Sequence, residues 1–256
     1  MSRQILTIAA YTLLEAFRNR LLWLILVVLV SGIGLSEFIG GIALTEGLQI
    51  KSAFLGAFLR LFAVFLLSLF VITSLVREMQ DKGLHLLLSM PLPRSHYYFG
   101  KLLGFSLFAL LTTVLSLLCL LFYVPAGQAL LWACSLYCEL LLVTAFSLLC
   151  LFTFNQVTIA LCTVGAFYLL ARSIAAFQLI GHGPLADPHD LAQRMITKMI
   201  DALAYLLPDL AHFTPTEWLI YHSGQWPDLL PILSQTLIYL LLIMAASLFD
   251  FYRKSL

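Results

Sequence analysis

Charge is what this sequence has least of. Only 11% of its 256 residues are Asp, Glu, Lys or Arg, while 62% are apolar. A soluble domain carries about a quarter charged and about half apolar residues, so a soluble fold is excluded and a polytopic membrane protein is implied. The net charge of +1 decides nothing by itself. A GxxxxGK[ST] phosphate loop is missing, so the chain is not expected to hydrolyse ATP by that route. HExxH and GxSxG are missing too, and no apolar run carries paired carboxylates. No cleaved signal peptide is expected, because the first apolar run follows about twenty mixed residues and lacks a small-residue cleavage site. The five cysteines, Cys119, Cys134, Cys138, Cys150 and Cys162, all fall inside apolar runs, where they read as small buried hydrophobes. Cys134 and Cys138 are one helical turn apart but have no other soft ligand nearby. His182, His189, His212 and His222 match no zinc spacing, so no metal is expected.

What is there is a series of long apolar segments. Six of them, 21–39, 53–76, 102–124, 129–153, 157–180 and 229–249, can each cross a hydrocarbon core of about 30 Å as a helix. The fold class is therefore all-α, a six-span transmembrane protein forming a single domain over 1–256. Residues 1–20 precede the spans. There Gln4, Thr7, Tyr11, Glu15 and Arg18 make one polar stripe and Ile5, Leu6, Ile8, Leu13 and Phe17 fill much of the rest, as in a helix lying at the membrane interface. Lys and Arg set the orientation. With the N-terminus inside, Arg3, Arg18, Arg20, Arg77, Lys82, Arg94, Lys101, Arg253 and Lys254 are cytoplasmic, against Lys51, Arg194 and Lys198 outside. Both termini are thus expected in the cytoplasm.

The loops differ in length. Spans four and five are joined by little more than Asn155-Gln156, which predicts a tight hairpin. The outer loop, 181–228, predicts two helices. Asp187-Pro188-His189-Asp190 is a helix start, followed by an apolar face of Leu191, Met195, Met199, Leu203 and Leu206. Thr214-Pro215-Thr216-Glu217 has capping-box spacing, with Thr214 as cap. Trp218 and Trp226 are expected at the outer interface. Three charges, Arg60, Glu139 and Arg172, fall within spans, where an unpaired charge costs several kcal/mol. Counted along the spans they share a depth of roughly 10–15 Å below the outer surface. Glu139 lies about sixteen residues before the Asn155-Gln156 turn and Arg172 about sixteen after it, so the two should pair with Arg60 close by. A structural clamp and the lining of a substrate path are both open readings of this cluster.

The densest polar island is 77–101, with Arg77, Glu78, Asp81, Lys82, Arg94 and Lys101 around a short apolar core ended by Pro91 and Pro93. It suits one or two helical turns at the membrane face that dock another protein. The island, read with the topology, resembles the permease subunits of ABC-2-type transporters. The resemblance rests on Glu78 at the end of span two, Gly83-Leu84, Leu86 to Leu88, Pro91-Leu92-Pro93-Arg94 and Gly100-Lys101. Leu207-Pro208-Asp209-Leu210 is similar to an element that many members carry before the last span. His85 departs from the pattern, and the outer loop is longer than in the smallest members.

The resemblance implies a chain that is not an enzyme and holds no cofactor, with ATP and Mg on a separate ATP-binding cassette subunit. It implies a second permease, identical or homologous, a surrounding of membrane lipid, no nucleic acid, and a place in the bacterial inner membrane. Arg77, Glu78, Asp81, Lys82, Gly83, Leu84, Leu87, Leu88 and Arg94 would dock the ATPase, with the leucines in its groove and the charges at the rim. The passenger of such an exporter is expected to be apolar or amphiphilic, which suits the row Phe54, Phe58, Phe62 and Phe65. Two other classes compete. A mechanotransmitting scaffold for envelope or metalloenzyme maturation would favour a large soluble outer domain, which this loop is too small to make. An intramembrane enzyme would need a nucleophile or base beside Glu139.

Overall fold

In hydrocarbon every backbone N–H and C=O has to be bonded within the chain, so long apolar runs become helices. The computed structural model describes residues 2–19, 21–42, 46–80, 94–154, 156–182 and 191–253. Among the described residues there are helices and turns and no strand. In order they are α1 (Ser2–Arg18), α2 (Leu21–Ile42), α3 (Gly47–Gln80), α4 (Arg94–Leu120), α5 (Ala126–Phe154) and α6 (Val157–Gly181). Then come α7 (Leu191–Leu206), a 3-10 turn (Leu210–His212), α8 (Thr216–Ile220), a second 3-10 turn (Trp226–Asp228) and α9 (Leu229–Arg253). Six of these helices, α2 to α6 and α9, are long and apolar enough to cross a membrane.

Helix α5 is the centre. Of its most apolar stretch 72% is buried, against 22% for α2 and for α9, which turn most of their surface outward. It packs on α3, α4, α6 and α9, with Trp132, Leu136, Leu140, Val143 and Leu148 essentially inaccessible. The α5–α6 turn is as short as predicted, and past it Phe146 and Phe167 stack with ring centroids 3.8 Å apart. Outward faces are apolar too: Leu230, Leu233, Leu237 and Leu241 of α9 are all exposed. Lipid tails are as apolar as leucine, so helix association here depends on close packing and internal polar bonds. Serine and threonine hydroxyls mostly turn back to carbonyls three or four residues earlier, as Thr113 does to Ala109 (2.8 Å).

Several sequence expectations are corrected. Helix α3 starts at Gly47 rather than 53, so Lys51 is a helix residue and pairs with Glu37 of α2 at 2.6 Å. Helix α4 starts at Arg94 rather than 102, because Tyr97, Tyr98, Gly100 and Lys101 turn inward. Cys134 and Cys162 lie on exposed faces, while Cys119, Cys138 and Cys150 are buried. Of the two tryptophans expected at the outer interface, Trp218 is buried and Trp226 is exposed. The helix start at 187–190 and the core of the polar island, 81–93, lie outside the described residues.

Helix α1 lies along α4. Gly100 and Gly104, spaced four apart, let the two backbones approach. A Cβ on Gly104 would sit 2.6 Å from Thr12 Cβ and 3.1 Å from the Ala9 carbonyl oxygen. Ala9, Thr12 and Ala16 are buried in this contact, while Leu6, Tyr11, Leu14 and Phe17 on the other side of α1 are exposed. Replacing Gly104 by Leu should therefore cost about 1–3 kcal/mol and loosen α1. The check is a lower unfolding temperature in detergent with faster tryptic cleavage after Arg18. Gly127→Leu, at a site with nothing within 4 Å, is the control expected to change neither.

Candidate functional site

Glu139 faces inward from α5 with 0% of its side chain exposed. Helix α6 and the loop before α8 supply its direct partners. Tyr168 on α6 donates its hydroxyl to Glu139 Oε1 (2.8 Å). The Thr214 hydroxyl, from the loop before α8, donates to Oε2 (3.0 Å). Arg172 Nη1 lies 3.5 Å from Oε1. The same nitrogen donates to the carbonyls of Leu210 (2.8 Å) and Phe213 (2.9 Å) and lies 3.4 Å from the Thr214 hydroxyl oxygen. Arg172 is thus a charged neighbour of the carboxylate while it grips the loop. From α3, Arg60 Nη1 donates to the Thr214 carbonyl and approaches its hydroxyl oxygen, both at 3.3 Å.

Thr214 is where these bonds converge. Its amide donates to Ser135 Oγ (2.9 Å), one turn before Glu139 on α5. It is fully buried and has φ +49°, a conformation that a β-branched residue rarely adopts. Such strain costs about 1–3 kcal/mol and persists only when the surroundings hold it. Here they do, through both its backbone groups and its hydroxyl. The stretch before it is inserted as well: Leu207, Leu210 and Phe213 are buried, and Asp209 Oδ1 accepts from the Ala211 amide to close the 3-10 turn.

The structure brings Arg60, Glu139 and Arg172 together, as their spacing predicts. Because α3 and α5 begin earlier than expected, Arg60 and Glu139 lie further from the starts of their helices than the sequence counting gave. Arg60 is 13 residues after Gly47 and Glu139 13 after Ala126, which is roughly 20 Å along each helix. The capping box at Thr214 is not formed. Pro215 occupies the cap position of α8 without a side-chain cap bond, since the Thr214 hydroxyl is given to Glu139. Thr214, Tyr168 and Ser135 escaped the sequence reading. Two of them carried a signal: Ser135 is four residues from Glu139 and Tyr168 four from Arg172, so each shares a helix face with a buried charge.

Below the node, a cavity of about 340 Å³ opens between α3 and α6, lined by Leu61, Phe62, Phe65, Leu161, Tyr168 and others, nearly all apolar. Phe54, Phe58 and Phe62 form a row of touching rings along α3, with centroids 5.8 and 4.4 Å apart.

At the other end of the bundle, the two described flanks of 81–93 are tied down. Glu78 Oε2 meets Lys101 Nζ at 2.6 Å, with the side chains only 20% and 8% exposed, and accepts from the Tyr97 hydroxyl (3.0 Å). Arg94 Nη1 donates to the carbonyls of Phe251 (3.2 Å) and Tyr252 (3.3 Å), capping the end of α9. Its guanidinium also lies 6.0 Å from the Phe251 ring centroid. Glu78 and Arg94 are therefore engaged within the chain. Arg77 is exposed and faces α1. Asp81, Lys82, Gly83, Leu84, Leu87 and Leu88 lie outside the described residues. No group of three or more metal-ligating side chains occurs among the described residues.

A family model described as "ABC-2 family transporter protein" matches residues 42–249. No curated protein matches the chain.

The node makes a stability prediction. Thr214→Val keeps the side-chain shape but removes the bond to Glu139 and the acceptor for two arginines, at about 1–3 kcal/mol. Glu139→Gln should cost about 3–5 kcal/mol, since it leaves buried guanidinium charge without its counter-ion. Arg172 also holds two loop carbonyls, so its removal adds a loss of its own, and the informative cycle pairs Glu139 with Thr214. Thermal unfolding in detergent should show the double variant losing less than the sum of the singles. Full additivity would mean that the two residues are not coupled.

Proposed function

This chain belongs to the ABC-2 family of transporter proteins, and on that premise we propose that it is an exporter permease that pairs with a second permease and is driven by a separate ATP-binding cassette subunit. It is a multi-pass membrane transport subunit. Family members generally work with ATP-binding subunits, and this chain has no phosphate loop of its own.

The observation that carries the coupling proposal is the anchoring of the two described flanks of 81–93. A segment that relays motion from a partner has to be attached to solid elements, or its movement dissipates. The Glu78–Lys101 pair ties one flank to α4, and Arg94 ties the other to α9. In this reading Leu84, Leu87 and Leu88 enter a groove of the ATPase, and Asp81 and Lys82 lie at its rim. Helix α1, packed on α4 beside them, forms a second contact. The end carrying 81–93 and both termini faces the cytoplasm, and the end carrying 191–228 faces outward, in a bacterial inner membrane. The apolar cavity between α3 and α6 supports an apolar or amphiphilic passenger.

Three measurements test this. Cysteines at 82 and at 195 should be labelled from opposite sides of the membrane, and labelling from one side would refute the topology. The purified chain should lack ATPase activity that its complex with the cassette subunit has. Replacing Leu87 and Leu88 by Asp should separate the two subunits, because unpaired carboxylates in an apolar groove cost several kcal/mol. Co-purification that survives the change would place the contact elsewhere.

A further inference from the structure

A concavity between the end of α1 and the end of α3 takes no part in the polar node. It measures about 460 Å³ and is lined by Tyr11, Leu14, Glu15, Arg18, Asn19 and Arg77. Arg18 and Arg77 are both exposed, and among the described residues neither forms an ion pair. Glu15, the acidic group on the wall, is held by the Ser74 hydroxyl, which donates to its Oε2 (2.8 Å). Among the described lining residues, two guanidiniums against one carboxylate leave one excess positive charge. The adjoining wall is apolar and uncovered: Leu6, Tyr11, Leu14 and Phe17 of α1 are 50–69% exposed.

These features coincide at the end of the spanning helices, where hydrocarbon gives way to headgroups. An amphipathic helix lying there buries its apolar face among acyl chains and sets its cations at phosphate level. Basic pockets between spanning helices on the cytoplasmic side suit anionic headgroups. A phosphodiester carries one negative charge, which matches the excess, and its two free oxygens suit two guanidinium forks.

We propose that this concavity binds the phosphodiester of an anionic phospholipid of the cytoplasmic leaflet. Arg18 and Arg77 hold the phosphate oxygens from two different helices, and the acyl chains run along Leu14, Tyr11 and Phe17. The lipid bridges α1 to α3 beside the docking segment, so membrane composition sets how firmly α1 is seated. The assignment rests on the reading that this end faces the cytoplasm.

Native mass spectrometry of the full chain tests it, after exchange into micelles holding equal phosphatidylglycerol and phosphatidylcholine. Retained phosphatidylglycerol should exceed phosphatidylcholine by roughly thirtyfold, the order expected of two arginines at about 1 kcal/mol each. Arg18→Gln with Arg77→Gln should bring the ratio close to one, while Arg18→Lys with Arg77→Lys, which keeps the charge but not the fork, should give an intermediate ratio. An even ratio in the unmodified chain, or an undiminished one in the Gln pair, overturns the proposal. So does displacement of the lipid by inorganic phosphate, which would mark a free-phosphate site. Loss of the cassette subunit from the Gln pair with lipid retention unchanged would assign the arginines to a protein contact instead. A cysteine at position 14 labelled from outside the cell would refute the orientation alone, since it leaves the lipid preference standing.

Discussion

A carboxylate shut inside a membrane bundle has to be neutralised by groups the chain supplies, because neither water nor lipid can do it. At Glu139 a loop completes that supply. Tyr168 and Arg172 approach from α6, but the second carboxylate oxygen depends on Thr214, which the stretch after α7 delivers into the bundle. The dependence runs both ways. Buried loop carbonyls at Leu210, Phe213 and Thr214 need donors, and the two arginines are those donors. Without the charges the loop could not be buried, and without the loop the charges could not be.

This exchange fixes the architecture around it. Arg60 belongs to α3, Ser135 and Glu139 to α5, and Tyr168 and Arg172 to α6, so a single loop residue pins three spanning helices at one depth. The helix that carries Arg60 at this end carries Glu78 at the other, where the pair with Lys101 holds the described flank of the proposed docking segment. Helix α3 is therefore the rigid element that touches both the inserted loop and the proposed ATPase contact. Its outer flank also borders the apolar cavity shared with α6. A passenger in that cavity would contact Tyr168, and through it the carboxylate.

The fold was largely legible in the sequence because a membrane leaves few choices. Apolar runs of sufficient length become spanning helices, and the Asn155-Gln156 turn placed Glu139 opposite Arg172 by counting alone. What stayed hidden was tertiary. Helix ends were missed where polar residues continue a helix beyond the hydrocarbon, as Lys51 and Lys101 do by pairing with Glu37 and Glu78. Thr214 followed by Pro215 and a Glu at the right spacing reads as a cap, and local chemistry supports that reading. A buried carboxylate 75 residues away in the chain claims the hydroxyl instead. No periodicity encodes such a contact. The four-residue companions Ser135 and Tyr168 pointed only to polar faces on α5 and α6, and said nothing of the loop they meet.

Hydrogen exchange across 207–220, compared between the unmodified chain and Glu139→Gln, tests most directly whether the buried carboxylate holds the inserted loop. Local opening sets the exchange rate of such amides. The account predicts that amides at 210–214 exchange slowly in the unmodified chain and roughly tenfold faster or more in the variant, equivalent to about 1.4 kcal/mol, with the interior of α5 unchanged. Equal protection of 210–214 in both proteins would contradict it, since the loop would then be held without the charge it is argued to depend on.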